Sequence, residues 1–514
     1  MLIDVNASFG GREGVQQFSV ETMLDQLNRT PCDVAFVHCQ QGMTDSASAN
    51  EQTFALCARH SWLRPCGVIH PRNTFTWREE LDRCLAAGTR LFRIYPDQGA
   101  WPVDSVLLDQ IVDQLGGTGA VLMVEATTPG LPSRIAERTV GDDLPVIFTE
   151  ARYFPLTELL PLVKRYPNLY IETSRLTSPH GIEHCVEMVG AHRLVYGSGA
   201  GRYPAWVAWQ TLERAAISAE ERAAIAGGNA AALLGVTASE RHVRVPTIPA
   251  PPPTIDVHLH DKFPGAPFRP FSPEEYAAEL DRQGIIGGVC SSITGIFYDL
   301  QQGNDEVAAL LAAVPKLRGY VVVDPRFPEE SATQLRRLDG DTGFAGVKIH
   351  CSYSRTPTNS PAMRRLFDLI APYEKPVLIH NLGPDWPEAL VEIAQAHPRL
   401  PIIAAHAGYG DGPLPTHDAA LRLVPAPNIY LEFCSTYLAT GAIRRGIDAV
   451  SAERVLFGSD FPLISLGYMR AAYEDAELSP EEAALIYIEN AQRLFPGIGA
   501  HAPAPVGQGR SVNQ

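Results

Sequence analysis

In the second half of the chain, apolar positions recur with two periods in turn. Short β-branched runs of period two lead into stretches such as SPEEYAAELDRQG and SPAMRRLFDLIAPY, where apolar residues recur at helical spacing. That rhythm predicts parallel strands, each followed by a helix. The strands read as IDVHLH (255–260), GGVCSS (287–292), LRGYVVVDP (317–325), GFAGVKIH (343–350), PVLIH (376–380), PIIAAH (401–406), IYLEFC (429–434) and RVLFGSD (454–460). Eight such units are the count of a (β/α)8 barrel.

The same order recurs in the first half, from LIDVNAS (2–8) through DVAFVHC (33–39), LRPCGVIHP (63–71), RLFRIYP (90–96), AVLMVE (120–125), LPVIFTE (144–150) and LYIETS (169–174) to RLVYGSG (193–199). NLYIET answers NIYLEF, HRLVYGSG answers ERVLFGSD, and GGNAAALLG answers IENAQRLFPG. Chance similarity of two barrels does not supply this many ordered correspondences, so the pattern predicts an α/β chain of two tandem TIM-type barrels that arose by duplication. The boundaries fall at 1–237 for the first barrel, 238–253 for a Pro-rich linker containing PTIPAPPP, 254–499 for the second barrel and 500–514 for a flexible tail.

The length, 514 residues, accommodates two barrels of about 250 residues each. A net charge of −16 argues against nucleic acid or an anionic membrane surface as partner, since both would repel the chain. The nine cysteines are scattered and form no CxxC pair, which reads as reduced thiols acting as small core residues. With no leader pattern at MLIDVNASFG and no apolar run near the ~18 residues of a membrane span, a soluble cytoplasmic protein is expected.

In DVHLH, His258 and His260 are one residue apart, so strand geometry sends both imidazoles to one side. His380, His406 and Asp460 close later strands, whose ends converge on one mouth. A lone strand-end histidine is more often a hydrogen-bonded core residue, and an Asp after Gly-Ser is often a helix cap. Five such residues in register point instead to a divalent metal, with zinc the commonest choice and Mn, Fe or Co compatible. Such a metal lowers the pKa of bound water to about 7.

With DVHLH, GVKIH, PVLIH, AAHAG, LFGSDFP and ENAQRLF, the second half resembles the amidohydrolase superfamily. The resemblance is to the branch of aminocarboxymuconate semialdehyde decarboxylase, aromatic-acid decarboxylases and several lactone hydrolases. It implies one metal held by His258, His260, His380 and Asp460, with His406 activating or protonating beside it. In some amidohydrolases a strand-four lysine is carbamylated and bridges two metals. Lys348 stands on that strand with His350, and the alternative is an inward charge that pairs with a carboxylate or touches substrate. Arg444 and Arg445 are the nearest basic pair for a substrate carboxylate.

Aligned by motif, the first half sets Asn6 against His258, Ser8 against His260, Val124 against His380, Glu150 against His406 and Gly199 against Asp460. None of these makes a zinc site, so this barrel is expected to be metal-less. Related active barrels pair, and a partner can lend a residue, often arginine. The first half is therefore expected to serve as a built-in pseudo-partner; Arg152, Arg175 and Arg202 lie near strand ends, with nothing in the sequence to rank them as donors, and further homo-oligomers are compatible with it. The function expected first is hydrolysis of a lactone or cyclic amide, with His406 or Asp460 handling the proton. Non-oxidative decarboxylation of a small acid is the alternative, and an inert assembly protein comes third. Phe263, Phe268, Tyr353, Trp386 and Tyr409 are candidates for a pocket lining that takes a small-molecule substrate.

Overall fold

Parallel pairing alone orders the strands of each half. The computed structural model describes residues 1–11, 19–142, 144–237, 241, 245–263, 269–340, 343–408 and 419–500. The first sheet runs in sequence through β1 (Leu2–Phe9), β2 (Cys32–Cys39), β3 (Leu63–Ile69), β4 (Leu91–Ile94), β5 (Val121–Glu125), β6 (Val146–Thr149), β7 (Leu169–Glu172) and β8 (Leu194–Val195). It closes where the Val5 amide donates to the Tyr196 carbonyl at 3.1 Å and the Ser8 amide to Ala200 at 2.9 Å.

The second sheet runs through β9 (Thr254–His260), β10 (Ile285–Ser291), β11 (Leu317–Val322), β12 (Phe344–His350), β13 (Val377–His380), β14 (Ile402–Ala404) and β15 (Ile429–Leu431). The expected eighth strand, 454–460, forms no ladder. It fills its place through single bridges, Leu431 to Val455 and Leu259 to Phe461. Asp460, at φ 62°, turns the chain out of the β region there. The Val257 amide donating to Phe457 at 3.0 Å and the His260 amide donating to Phe461 at 2.8 Å still close the barrel.

Alternate strand residues fill each barrel. Ile3, Val5, Phe36, Leu91, Met123 and Ile147 form the first interior, and Ile255, Val257, Val289, Tyr320, Leu378 and Ile403 the second. Each interior also takes in the closing helix of its half, Ala230 and Leu234 in one and Ala491 and Leu494 in the other.

Polar details repeat too. Ser218 with Glu221 and Ser479 with Glu482 form capping boxes, each leading into a π-helical turn. The amide of Asn229 donates to the carbonyls of Ala191 and Leu194, and that of Asn490 to those of Ala452 and Val455. Asp4 accepts from the Asn6 amide as Asp256 accepts from that of His258, both at 2.9 Å. Duplicated positions kept the bonds that hold the barrel.

The helices after each eighth strand position, Ala205–Arg214 and Leu466–Asp475, join the two barrels. Val207 is buried in the apolar core of the second barrel. Gln210 donates to Glu474 at 2.6 Å, Arg175 to the Tyr468 hydroxyl at 3.0 Å, and Arg29 pairs with Asp475 at 3.1 Å. Arg241 reaches back from the connector to the Cys32 carbonyl at 2.6 Å. Among the described residues no helix is long and apolar enough to cross a membrane.

A chain lacking residues 1–245 would leave the apolar face of Leu466–Asp475 uncovered. It is expected to elute as an aggregate in size-exclusion chromatography; a monodisperse, metal-replete fragment would show instead that the second barrel is self-sufficient.

Candidate metal centre

Period two on β9 turns His258 and His260 into the barrel mouth, and the left-handed corner at Asp460 brings its carboxylate between them. His260 Nε2 lies 3.0 Å and His258 Nε2 3.7 Å from Asp460 Oδ1. Two donors bound to one tetrahedral cation at about 2.1 Å stand about 3.4 Å apart, and the observed separations straddle that value.

The outer nitrogens are tied down. His258 Nδ1 donates to Glu432 Oε1 at 2.9 Å, and His260 Nδ1 lies 3.0 Å from Ser291 Oγ. With Nδ1 of His258 committed as a donor, its Nε2 presents a lone pair to the centre. Two imidazoles and a carboxylate, buried and converging, are a donor set that suits a divalent transition metal.

Glu432, wholly buried, also accepts from the amide of His406 at 2.7 Å and that of Cys434 at 2.8 Å. His406 stands at φ 60°, and its Nδ1 donates to the Cys434 carbonyl at 2.7 Å, leaving Nε2 as the ring's basic atom. Burial, then the neighbouring His380, lowers the His406 pKa against the pull of Glu432 and Asp460, so the ring is neutral near pH 7. At Asp460 burial pushes the carboxyl up, but the bond from His260, followed by its electrostatic interaction with the surrounding His258, His260 and His406 rings, outweighs it and holds it well below the ordinary range.

His380 closes β13 and lines the same cavity, its ring stacked on His350 at 4.0 Å and 4.6 Å from that of His406. It is not part of the close set formed by His258, His260 and Asp460. Lys348 is fully buried on β12, with its Nζ 2.8 Å from His258 Nε2. Burial, partly offset by Asp460 and Glu432, lowers its pKa to about 8.

The cavity at this mouth encloses about 430 Å³. Phe263 and Tyr353 line it, whereas Trp386 is buried on its own helix; Phe268 and Tyr409 lie outside the described residues. Arg444 does not reach the mouth. Its guanidinium is held by Glu482 at 2.8 Å and Asp448 at 2.9 Å on the outer helix face, which corrects its assignment to a substrate carboxylate.

Sequence reasoning missed Glu432, Ser291 and Cys434, together with Tyr153 and Phe154, which line the cavity from the first barrel. Glu432 left a signal, because a lone carboxylate interrupts the apolar run IYLEFC and recurs as Glu172 in NLYIET.

In the first barrel, Arg93 donates to Asn6 Oδ1 at 2.7 Å, the place Lys348 takes against His258. Arg93 pairs with Met123 in the ladder as Lys348 pairs with Leu378, so Glu125, two residues on, stands where His380 does. The motif alignment with Val124 was one residue off, because Val124 faces outward. Glu150 keeps the left-handed corner of His406 at φ 58° and Gly199 that of Asp460 at φ 68°. Glu125 pairs with Arg93 at 2.9 Å and Arg202 at 3.4 Å. Glu150 faces Arg202 at 3.5 Å and both Arg175 and Arg152 at 3.7 Å, charges that outweigh burial and hold its carboxyl at about 2. The positions equivalent to His380 and His406 carry an internal ion network in the first barrel.

The family described as Amidohydrolase matches residues 21–236 and again residues 255–497. No curated protein sequence matches the chain at a significant level. Among solved structures, 2,6-dihydroxybenzoate decarboxylase from Rhizobium is similar at 16% identity and TM-score 0.38, over 48% of this chain and 99% of that one. The 5-carboxyvanillate decarboxylase of Sphingomonas paucimobilis matches at 16% identity and TM-score 0.38, over 47% and 98%. A probable 2-pyrone-4,6-dicarboxylic acid hydrolase from Acinetobacter baumannii matches at 19% identity and TM-score 0.37, over 47% and 99%.

Glu432→Gln keeps the size of the side chain but removes the charge that orients His258. It is expected to weaken metal affinity about 10- to 100-fold, measured by competition with a chromogenic chelator. Affinity equal to that of the parent would remove Glu432 from the account.

Proposed function

The chain belongs to the amidohydrolase family, and from that premise we propose that its second barrel is a metal-dependent hydrolase acting on a lactone, cyclic amide or similar carbonyl substrate. The observation that carries this reading is the convergence of His258 Nε2, His260 Nε2 and Asp460 Oδ1 on one buried centre. His380, on the same cavity wall, is proposed as the fourth ligand. Zinc is the cation proposed first, from the nitrogen-rich donor set. When bound, it would supply Lewis acidity and make water acidic enough to yield hydroxide near neutral pH.

The protein's own groups divide the remaining work. His406, fixed by its Nδ1 bond to the Cys434 carbonyl, offers Nε2 as the acceptor of a proton from the attacking water and its donor to the leaving oxygen or nitrogen. Asp460, ionised across the physiological range, holds that water in line for attack on the carbonyl carbon. Ring opening balances as one water consumed and one acid with one alcohol or amine formed.

The first barrel is proposed as a built-in partner, since equivalent helices of the two halves meet at the seam as they would in a two-fold dimer. A reducing, cytoplasmic setting is proposed with it, in keeping with nine cysteines that all remain free.

Purified protein is expected to carry about one metal per chain by plasma mass spectrometry, to lose activity on chelation and to regain it with Zn²⁺ or Mn²⁺. Against a panel of lactones, cyclic amides and aromatic acids, ring-opened product without headspace CO₂ is expected. Asp460→Ala should lower kcat/KM about 10³-fold or more. Release of CO₂ would establish a decarboxylase instead, and a metal-free, inactive parent would sink both readings.

A further inference from the structure

Two residues of the first barrel, Tyr153 and Phe154, line the cavity of the second. They open the helix Tyr153–Arg165, which follows β6 and the left-handed corner at Glu150. The helix start is pinned across the seam, since the Arg152 guanidinium lies 4.1 Å over the ring of Tyr437, itself a residue of the cavity wall.

Tyr153 packs edge-on to Phe154 at 4.5 Å between ring centres and meets Phe263 at 6.3 Å. Its hydroxyl bonds to Thr436, and burial, then the charge of Asp460, pushes its pKa up to about 12. Phe154 is 55% exposed, an uncovered ring at the rim of a cavity whose floor is polar. Packing of the seam accounts for a buried aromatic there but not for one left open to the cavity.

We propose that Tyr153 and Phe154 form the specificity wall of the active site, and that this wall takes a planar ring of the substrate while the carbonyl or carboxyl oxygens turn to the histidines and Asp460. The inference rests on the metal-site reading above and adds the shape of the occupant and the barrel that selects it. Tyr153 and Phe154 act on the part of the substrate that does not react. Edge-on and offset ring contacts favour a flat aromatic or unsaturated ring over a puckered saturated one of equal size.

The test uses the full chain loaded with Co²⁺, whose visible absorption reports on bound ligands. Acetohydroxamate, benzohydroxamate and cyclohexanecarbohydroxamate share one chelating group and differ only in what it carries. The parent is expected to bind benzohydroxamate about three- to tenfold more tightly than the cyclohexane compound. Tyr153→Ala and Phe154→Ala should each shrink that ratio toward one, with cobalt content and acetohydroxamate affinity retained, whereas Tyr153→Phe should preserve it. Phe154, being exposed, can be truncated without opening the core, so a folding defect at Tyr153 does not shield the proposal. Cobalt uptake with no ring preference, or with a preference that both truncations leave unchanged, overturns the wall alone. Failure to take up cobalt overturns the metal site and the wall together.

Discussion

One buried carboxylate sets the geometry of the second barrel. Glu432 has no access to water, and a charge so placed must be met by donors on every side. It is met by His258 Nδ1 and by the amides of His406 and Cys434. Those bonds fix the tautomer of His258, and through it the direction of the lone pair that faces the centre. The same bonds hold the chain after β14 at the corner from which His406 reaches the cavity.

The duplicated barrel separates what the fold needs from what the chemistry needs. Glu172 occupies the place of Glu432 and bonds Asn6 Nδ2 at 3.2 Å and the Ser174 amide at 2.6 Å. With only neutral partners, burial lifts its carboxyl to about 7. The carboxylate is thus present in both barrels, with an imidazole partner in one and an asparagine in the other, which makes it part of the barrel's frame. Around it, Arg93, Arg202, Arg175 and Arg152 neutralise Glu125 and Glu150, so the mouth is satisfied from within and, among the described residues, presents no converging donor set. Both left-handed corners persist, because the chain must still turn from strand to helix there.

The two halves are joined more closely than beads on a linker. Helix Ala205–Arg214 contributes Val207 to the core of its neighbour, and the helix that begins at Tyr153 reaches the neighbour's mouth. Pocket walls require only position and surface, so a residue of one barrel can line the cavity of the other.

The sequence by itself determined the double barrel, its order of strands and the membership of His258, His260 and Asp460 in one mouth. Each follows from a local rule: period two along β9, the strand–helix rhythm, and the convergence of strand ends in a closed barrel. Only the tertiary structure decided the rest. The ladder register, and not the motif, matched Glu125 to His380. Helix packing turned Arg444 toward Glu482 and away from the mouth. Glu432 acquired its role from a partner 174 residues earlier in the chain, and Tyr153 its place from the seam between barrels. Periodicity is written in neighbouring residues, whereas the meeting of distant side chains is set by how the barrels close and dock, which no local stretch of sequence encodes.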